Sequence, residues 1–229
     1  MKRFWTEADV VERADGWGIA LDGRPLKTPA RADLILASAA LAKAIGAEWA
    51  TAGETVDPRA MPMTGLANAA IDHVASDPSA FAAGLARYAK ADLFCYRATS
   101  PTKLVRRQAA AWDPLLGWAR RRYDVDFVVT SGVIHVAQPA PTVARLSHEV
   151  SALGAFRLAA MAPLVTIGGS LVAALGLLEG ALDVAAAWDA VSLDEQWQIE
   201  QWGADDEAVA SLANRRADFE AGARFLALL

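Results

Sequence analysis

The stretch "WGIALDGRPLKTP", residues 17–29, decides how the chain begins to fold. Asp22-Gly23 is a preferred dipeptide for two-residue hairpin turns, because both turn positions need a positive φ. Apolar side chains flank this turn, with alternation on its amino-terminal side, at Trp17, Ile19, Leu21 and Leu26. We therefore predict a β-hairpin here, and we expect strands to fill most of the first sixty residues.

Three further signals complete the amino-terminal region. Residues 33–37, "DLILA", predict a third strand, and Ser38 predicts the N-cap of a helix. The inward face of that helix follows from its apolar spacing: Leu41, Ile45 and Trp49. Pro58 and Pro62 break any regular element, so we predict a strand-rich domain over 1–62 and a helical domain over 63–229.

The larger region has mainly helical spacing. We expect Thr64 to cap one helix, residues 77–81 to begin a second, and residues 101–123 to form a third. The inward face of the third is predicted at Leu104, Gln108, Ala111 and Leu115. Pro114 predicts either a kink or a new helix with Asp113 as its N-cap. Residues 126–137 predict a short hairpin that turns near Ser131-Gly132.

The last helix has the clearest amphipathic pattern. Asp205 predicts its N-cap, and the packing face follows at three- and four-residue spacing: Val209, Leu212, Arg216, Phe219, Ala223 and Leu226. The predicted fold class is therefore α+β, with a small strand-rich domain that carries one helix, followed by a larger, mainly α-helical domain.

One uncharged run, residues 158–178, is long enough to cross a bilayer. Pro163, the pair Gly168-Gly169 and Gly176 interrupt it, and it lacks flanking aromatic or basic anchors. We predict two buried helices joined by a Gly-Gly turn rather than a membrane span.

Composition excludes several classes of function. A net charge of −5 argues against general nucleic-acid binding. The single cysteine, Cys95, lies in an apolar run and predicts a buried structural thiol. His73, His135 and His148 lack metal-ligand spacing, and neither a phosphate loop nor a nucleophile elbow is present. We predict no metal and no cofactor.

The stretch "SLDEQWQIEQWG", residues 192–203, is the one segment with enzyme-like residues. Asp194 and Glu195 could serve as an acid–base pair in a hydrolase, or they could belong to a helix start. Ser192 and Glu195 have the spacing of a capping box, and Gly203 is placed to end the helix. Helical spacing turns Trp197 away from Gln198 and Trp202, so we expect one tryptophan to be buried and the other to be partly exposed.

Capping leaves a larger pattern unexplained, because residues 179–214 contain nine acids and no Lys or Arg. The acids are Glu179, Asp183, Asp189, Asp194, Glu195, Glu200, Asp205, Asp206 and Glu207. They either pair with the bases of residues 103–122 or form an acidic surface that orients a partner.

Five stretches together resemble one family: "GRPLKTPA" (23–30), "PMTGLANAAID" (62–72), "DLFCYRA" (92–98), "RQAAAWDPLLGWA" (107–119) and "LDEQWQIEQWG" (193–203). The chain resembles the chaperones that assemble the catalytic F(1) sector of ATP synthase by binding its unassembled α subunit. Since the amino terminus looks like neither a secretory signal nor a transit peptide, the resemblance indicates a bacterial, cytoplasmic member.

The resemblance implies an activity without chemistry, in which the α subunit is held until it assembles. It places the family's important acid in the segment from Leu193 to Ile199, at Asp194 or Glu195. We therefore predict that the protein is not an enzyme. The residues predicted to bind the partner are Asp194, Glu195, Gln198, Glu200 and Trp202. The resemblance also implies that Trp49, which follows Glu48, packs between the domains, and that a central polar cluster contains Tyr96, Arg97 and Asp113. Since no long dimerisation seam is present, we predict a monomer without stable membrane insertion.

Overall fold

The computed structural model describes residues 2–203 and 205–229. The strands are β1 (Ala8–Arg13), β2 (Gly16–Leu21), β3 (Arg24–Pro25), β4 (Tyr96–Arg97) and β5 (Thr130–Ser131). The first helices are α1 (Ala39–Ala50), α2 (Pro62–Ala69), α3 (Pro78–Ala86), α4 (Thr102–Tyr123) and α5 (Ala140–Ser151). They are followed by α6 (Ala155–Gly168), α7 (Leu171–Leu178), α8 (Val184–Val191), α9 (Leu193–Trp202) and α10 (Asp206–Ala227). The predicted α+β class with a helical majority is confirmed.

The chain divides into two compact units. The first unit runs from the amino terminus to Pro78 and adds Gly154–Ala160 and Arg224–Leu229. The second contains Ser79–Leu153 and Met161–Ala223. The boundary that we predict at residue 62 stays a prediction.

The first unit is built on an antiparallel sheet of order β1-β2-β3. The predicted turn is confirmed: Asp22 and Gly23 have φ of 47° and 75° and join β2 to β3. The expected third strand at 33–37 is wrong, because residues there form only isolated bridges, Trp17–Leu36 and Lys27–Asp33. Strand therefore covers less of the first sixty residues than we expect from the pattern.

Helix α1 packs closely on this sheet. Ser38 caps it by accepting bonds from the backbone N–H groups of Ala40 and Leu41, as predicted. A Cβ at Gly46 would lie 3.1 Å from Val10 Cγ2, so the glycine permits the close approach. The predicted inward face is confirmed, since Leu41, Ile45 and Trp49 are buried.

Helix α2 does not begin as predicted. Thr64 lies inside α2, which starts at Pro62, and Glu48 of α1 supplies the carboxylate at its first turn. Glu48 accepts bonds from the N–H groups of Met63 and Thr64 at 2.7 and 2.8 Å, and from Thr64 Oγ1 at 2.6 Å. A helix N-terminus favours such a carboxylate because its N–H groups are otherwise unpaired.

The second unit is organised around α4 and α7. Helix α4 continues through Pro114 without a break, so the predicted new start at Asp113 is wrong. Its buried face is also displaced by about one residue from the prediction: Gln108, Trp112, Leu116, Ala119 and Tyr123. Nε1 of Trp112 donates to the carbonyl of Ala190 in α8 at 2.8 Å, which fixes α8 on α4.

Helix α7 is buried from Leu171 to Gly176, and an all-apolar helix belongs in a core. The predicted Gly-Gly turn between α6 and α7 is confirmed, with Gly169 at φ 66°. Among the residues that the structure describes, no helix combines the length and apolar character needed to cross a membrane.

The hairpin predicted at 126–137 is wrong. Thr130 and Ser131 of β5 pair in parallel with Tyr96 and Arg97 of β4. Sequence spacing could not predict this pairing, because the partner strand lies far earlier in the chain, before α4.

The predicted packing face of α10 is only partly correct. Phe219 is buried, but Val209 and Arg216 are exposed, and the buried face continues through Gly222 and Phe225 instead. Asp205 caps the helix as predicted, accepting a bond from the N–H of Ala208 at 2.7 Å.

Candidate functional site

Helix α9 carries most of the predicted partner-binding residues. It follows α8 directly, and Ser192 precedes it without a side-chain cap. The capping box is therefore wrong: Ser192 Oγ donates to the carbonyl of Trp188 at 2.6 Å and accepts a bond from Gln196 Nε2 at 2.7 Å. Gly203 ends the helix with φ 80°, as predicted.

Asp194 is joined to α4 through a buried glutamine. Gln108 Nε2 donates to Asp194 Oδ1 at 2.7 Å, and Gln108 Oε1 accepts the N–H of Ala98 at 2.8 Å. Partial burial raises the pKa of the Asp194 carboxyl, while the bond from Gln108 lowers it and the neighbouring Glu195 raises it further. Asp194 therefore has a structural partner that the sequence pattern did not identify.

Glu195 faces α10 instead. Arg215 Nη1 donates to Glu195 Oε1 at 3.0 Å, and Arg215 Nη2 donates to the carbonyl of Ile167 at 3.2 Å. This arginine therefore ties α9 to the end of α6 as well as to its own helix.

Two further acids of the segment are paired with arginines of α4. Arg107 Nη1 donates to both carboxylate oxygens of Glu200, at 2.8 and 2.6 Å. Arg122 makes a two-bond pair with Glu179 at 3.0 and 2.9 Å, which raises the pKa of Arg122. Pairing within the fold, one of the two explanations left open by the sequence, thus accounts for part of the acidic segment.

The remaining acids have more exposed positions. Asp183 and Asp205 cap α8 and α10 through the N–H groups of Ala186 and Ala208. Asp206 and Glu207 are exposed in the first turn of α10. Asp189 of α8 is exposed as well, so acidic side chains of the segment face solvent both at α8 and at the start of α10.

Helix α9 exposes side chains on more than one side and carries a large apolar one near its end. Trp202 is 78% exposed, whereas Trp197 is buried, so one tryptophan is buried and the other exposed, as predicted. Gln198 is exposed one turn before Trp202, and Glu200 is exposed beside Arg107. We call Gln198, Glu200 and Trp202, with the exposed acids Asp206 and Glu207, the α9 surface.

The predicted polar cluster forms in part. Arg97 is 7% exposed, donates to Asp113 Oδ1 at 2.8 Å and to the carbonyl of Phe94 at 3.0 Å, and lies over the ring of Trp112. Tyr96 turns elsewhere, because its hydroxyl is 3.0 Å from Nδ1 of His135.

Trp49 lies in the first unit against Trp5. The ring centroids are 4.9 Å apart, and Trp5 Nε1 donates to the carbonyl of Trp49 at 3.1 Å. Its observed aromatic partner thus belongs to the same unit, and its role between domains stays a prediction.

The geometry does not favour a hydrolase built on Asp194 and Glu195. Asp194 is held by Gln108 and Glu195 by Arg215, so the two carboxylates are committed to partners on different helices. Within residues 2–203 and 205–229, no group of His, Cys, Asp or Glu has a metal-binding arrangement. Burial raises the pKa of the Cys95 thiol to about 12, which agrees with a structural role.

The sequence pattern could have identified Gln108, a residue of the site that we did not predict. Gln108 stands at an apolar position of α4, and a polar residue on an inward helix face indicates a buried bond. Arg107 and Arg215 have no such signal, because their partners lie on other helices.

Comparisons with known proteins agree with one another. The sequence profile of the ATP12 chaperone protein family matches residues 2–120. The mitochondrial protein atp12 of Schizosaccharomyces pombe is 26% identical over 219 residues, which are 90% of this chain and 75% of that protein. The crystal structure of Atp12 from Paracoccus denitrificans is 42% identical, with a TM-score of 0.94, and the match covers 99% of this chain and 97% of that one. An aspartate-to-lysine mutant of the Paracoccus protein matches with 41% identity, the same TM-score and the same coverage.

Proposed function

This chain belongs to the ATP12 chaperone family, and from that membership we propose that it binds the unassembled α subunit of the F(1) sector of ATP synthase. It holds that subunit until the catalytic hexamer assembles, without ATP or another cofactor. It works as a monomer in the bacterial cytoplasm. Its activity is binding rather than catalysis.

The observation that carries the proposed site is the exposure of Trp202, at 78% of its surface. A tryptophan exposed to this extent loses much apolar contact with water when a partner covers it, and tryptophans dominate the binding energy of many interfaces. The exposed acids Asp206 and Glu207 follow at the start of α10 and favour a basic patch on the partner.

The five predicted partner-binding residues then divide into two roles. Gln198, Glu200 and Trp202 contact the α subunit directly, since they are exposed. Asp194 and Glu195 hold α9 against α4 and α10 through Gln108 and Arg215. A change at Asp194 or Glu195 therefore shifts helix α9, while a change at Trp202 removes a direct contact with the α subunit.

The test is the affinity of the purified chain for a separately purified α subunit, measured by titration calorimetry. We expect Trp202→Ala to weaken binding by roughly tenfold or more, as truncation of a central aromatic does. Phe4→Ala is the matched control, because Phe4 is 66% exposed in the first unit. Equal affinity of the Trp202 variant and the wild type would contradict the role of the α9 surface.

Exchanging the charges of the Arg107–Glu200 pair tests binding of the α subunit separately from the stability of the fold. The double variant Arg107→Glu with Glu200→Arg keeps the ion pair but reverses the charge that each helix presents. We expect its thermal stability to stay near that of the wild type, because exposed pairs contribute about 1 kcal/mol or less. Binding of α is expected to fall, since the repelling charge now faces the partner. A wild-type chain that binds no α subunit would remove the proposed function.

A further inference from the structure

A short loop of the second unit presents two aliphatic side chains to solvent. Val133 is 98% exposed and Ile134 is 80% exposed, in the loop that follows β5. Val128 and Val129, just before β5, are 38% and 43% exposed. We call Val133 and Ile134 the apolar tip.

The apolar tip is held in place on both sides. The N–H of Gly132 donates to the carbonyl of Arg97 at 2.8 Å, and His135 Nδ1 lies 3.0 Å from the hydroxyl of Tyr96. At the base of the loop, the Gln138 side chain makes two bonds to the backbone of Val128, at 3.0 and 2.9 Å. A loop fixed in this way loses little conformational entropy when a partner binds it.

The tip is also connected to the first turn of helix α9 by a short series of bonds. Gly132 is bonded to Arg97, and the next residue, Ala98, donates its N–H to Gln108. The same glutamine donates to Asp194 at the start of α9. The bonds that hold the loop and those that hold helix α9 therefore meet at Gln108.

We propose that the apolar tip is a second contact for the same client, and that it inserts into the apolar surface that an unassembled ATP synthase α subunit exposes before its neighbour covers it. This inference rests on the proposed function. An assembly interface is rich in apolar side chains, and an aliphatic tip suits it because both lose contact with water.

Two other occupants fit the loop less well. A stable interface between copies needs roughly 600 Å² from each partner, and two aliphatic side chains fall far short of that area. A membrane surface attracts basic residues, whereas residues 124–138 contain Asp124 and Asp126 and no Lys or Arg. The tip therefore adds to a larger protein contact.

The first experiment compares wild type with the double variant Val133→Ser, Ile134→Ser in titrations with purified α subunit. We expect a loss of affinity of roughly ten- to a hundredfold, the range for removing one or two buried aliphatic side chains. Val11→Ser is the control, because Val11 is an exposed valine of β1 in the other unit. Circular dichroism melts are expected to coincide, since the replaced side chains have no packing to lose.

A second experiment locates the contact directly. The native thiol, Cys95, is buried, so an Ile134→Cys chain has one reactive thiol for an environment-sensitive dye. We expect a blue shift and higher intensity when the α subunit is added, and no change for a dye at Val11→Cys. No spectral change at position 134 while the α subunit is bound would overturn the proposal.

The outcomes separate the two proposals. If the wild type binds α and the serine variant binds it within twofold as tightly, the tip has no role and the proposed function stands. If the wild type binds no α subunit, the proposed function fails and the tip inference fails with it. Light scattering that shows a dimer lost in the serine variant, or tip-dependent sedimentation with phosphatidylserine vesicles, would assign the tip to another occupant and overturn the proposal.

Discussion

Replacement of Gln108 by leucine tests whether α9 is positioned through α4. Leucine keeps the volume and apolar packing of the side chain but removes both of its hydrogen bonds, to Asp194 and to the N–H of Ala98. A bond to a charged group contributes about 1.5–3 kcal/mol, and a neutral one about 1 kcal/mol. Because Asp194 is only half-buried and water can replace part of its bond, we expect a loss of roughly 2–3 kcal/mol in the free energy of unfolding.

The assay is urea unfolding at pH 7 followed by tryptophan fluorescence, which the buried Trp112 makes sensitive to this unit. Gln198→Leu is the matched control, because Gln198 is an exposed glutamine of α9. We expect that change to stay within about 0.5 kcal/mol of the wild type. A Gln108→Leu variant within the same margin would refute the positioning role of Gln108.

Gln108→Glu adds a pH signature that a loss of packing cannot produce. It would place a second carboxylate beside Asp194, whose pKa burial already raises. Like charges raise the folded-state pKa of the pair above its unfolded value, so the folded chain binds protons more tightly. Stability of this variant, relative to the wild type, is therefore expected to fall as the pH rises through the raised folded-state pKa values of the pair. Identical pH profiles would contradict the placement of the two side chains.

Three other predictions concern the folded chain itself. Burial raises the pKa of Asp92 to about 6, above its ordinary value, so its contribution to stability is fully present at acid pH and is lost as the pH rises through that folded-state value. The difference in unfolding free energy between the wild type and Asp92→Asn should therefore change by about 3 kcal/mol as the pH rises from the ordinary pKa of 3.8 to about 6. A difference that does not vary with pH would contradict this prediction. The Cys95 thiol, with its pKa raised to about 12, should react with an aromatic disulfide reagent only after unfolding, and rapid reaction of the native chain would show that it is accessible. Gly16 has φ 144°, and a Cβ there would lie 2.6 Å from the carbonyl oxygen of Leu36. Gly16→Ala should therefore cost about 2 kcal/mol or more in thermal melts, whereas Gly23→Ala, in open space, should cost less, and equal costs would contradict the clash.

Local signals in the sequence predicted the elements that depend on local geometry. Asp22-Gly23, Ser38 and Gly203 act close to their own positions in the chain, and each does what its residue type favours. The turn at Gly168-Gly169 belongs to the same class, since a positive φ at Gly169 is available to glycine at little cost.

The failed predictions depend on partners that the pattern does not specify. Ser192 has the spacing of a cap, but Gln196 and the carbonyl of Trp188 occupy its hydroxyl. Thr64 is also a residue type that favours the N-cap position, yet the carboxylate of Glu48, sixteen residues earlier, accepts the N–H bond at the first turn of α2. A pattern along the chain cannot identify a bond that forms only after two helices pack.

The candidate site shows the same division. Helical spacing predicted that one of Trp197 and Trp202 is buried and the other exposed, because the two tryptophans lie on different faces of one helix. The pairing of Glu200 with Arg107 could not be predicted, since it joins residues 93 positions apart. The acidic composition of the segment therefore overstated the charge that reaches the surface.

The dependence of α4 on later residues has a consequence for the order of synthesis. Helix α4 leaves the ribosome before the partners of Arg107, Trp112 and Arg122, which are Glu200, Ala190 and Glu179. At ordinary rates of translation, the segment from Arg122 to Glu200 takes on the order of ten seconds to synthesise. During that interval Arg107 and Arg122 lack their carboxylate partners, and Trp112 Nε1 lacks its carbonyl acceptor. A chain that stops before residue 179 therefore lacks the partners of all three side chains.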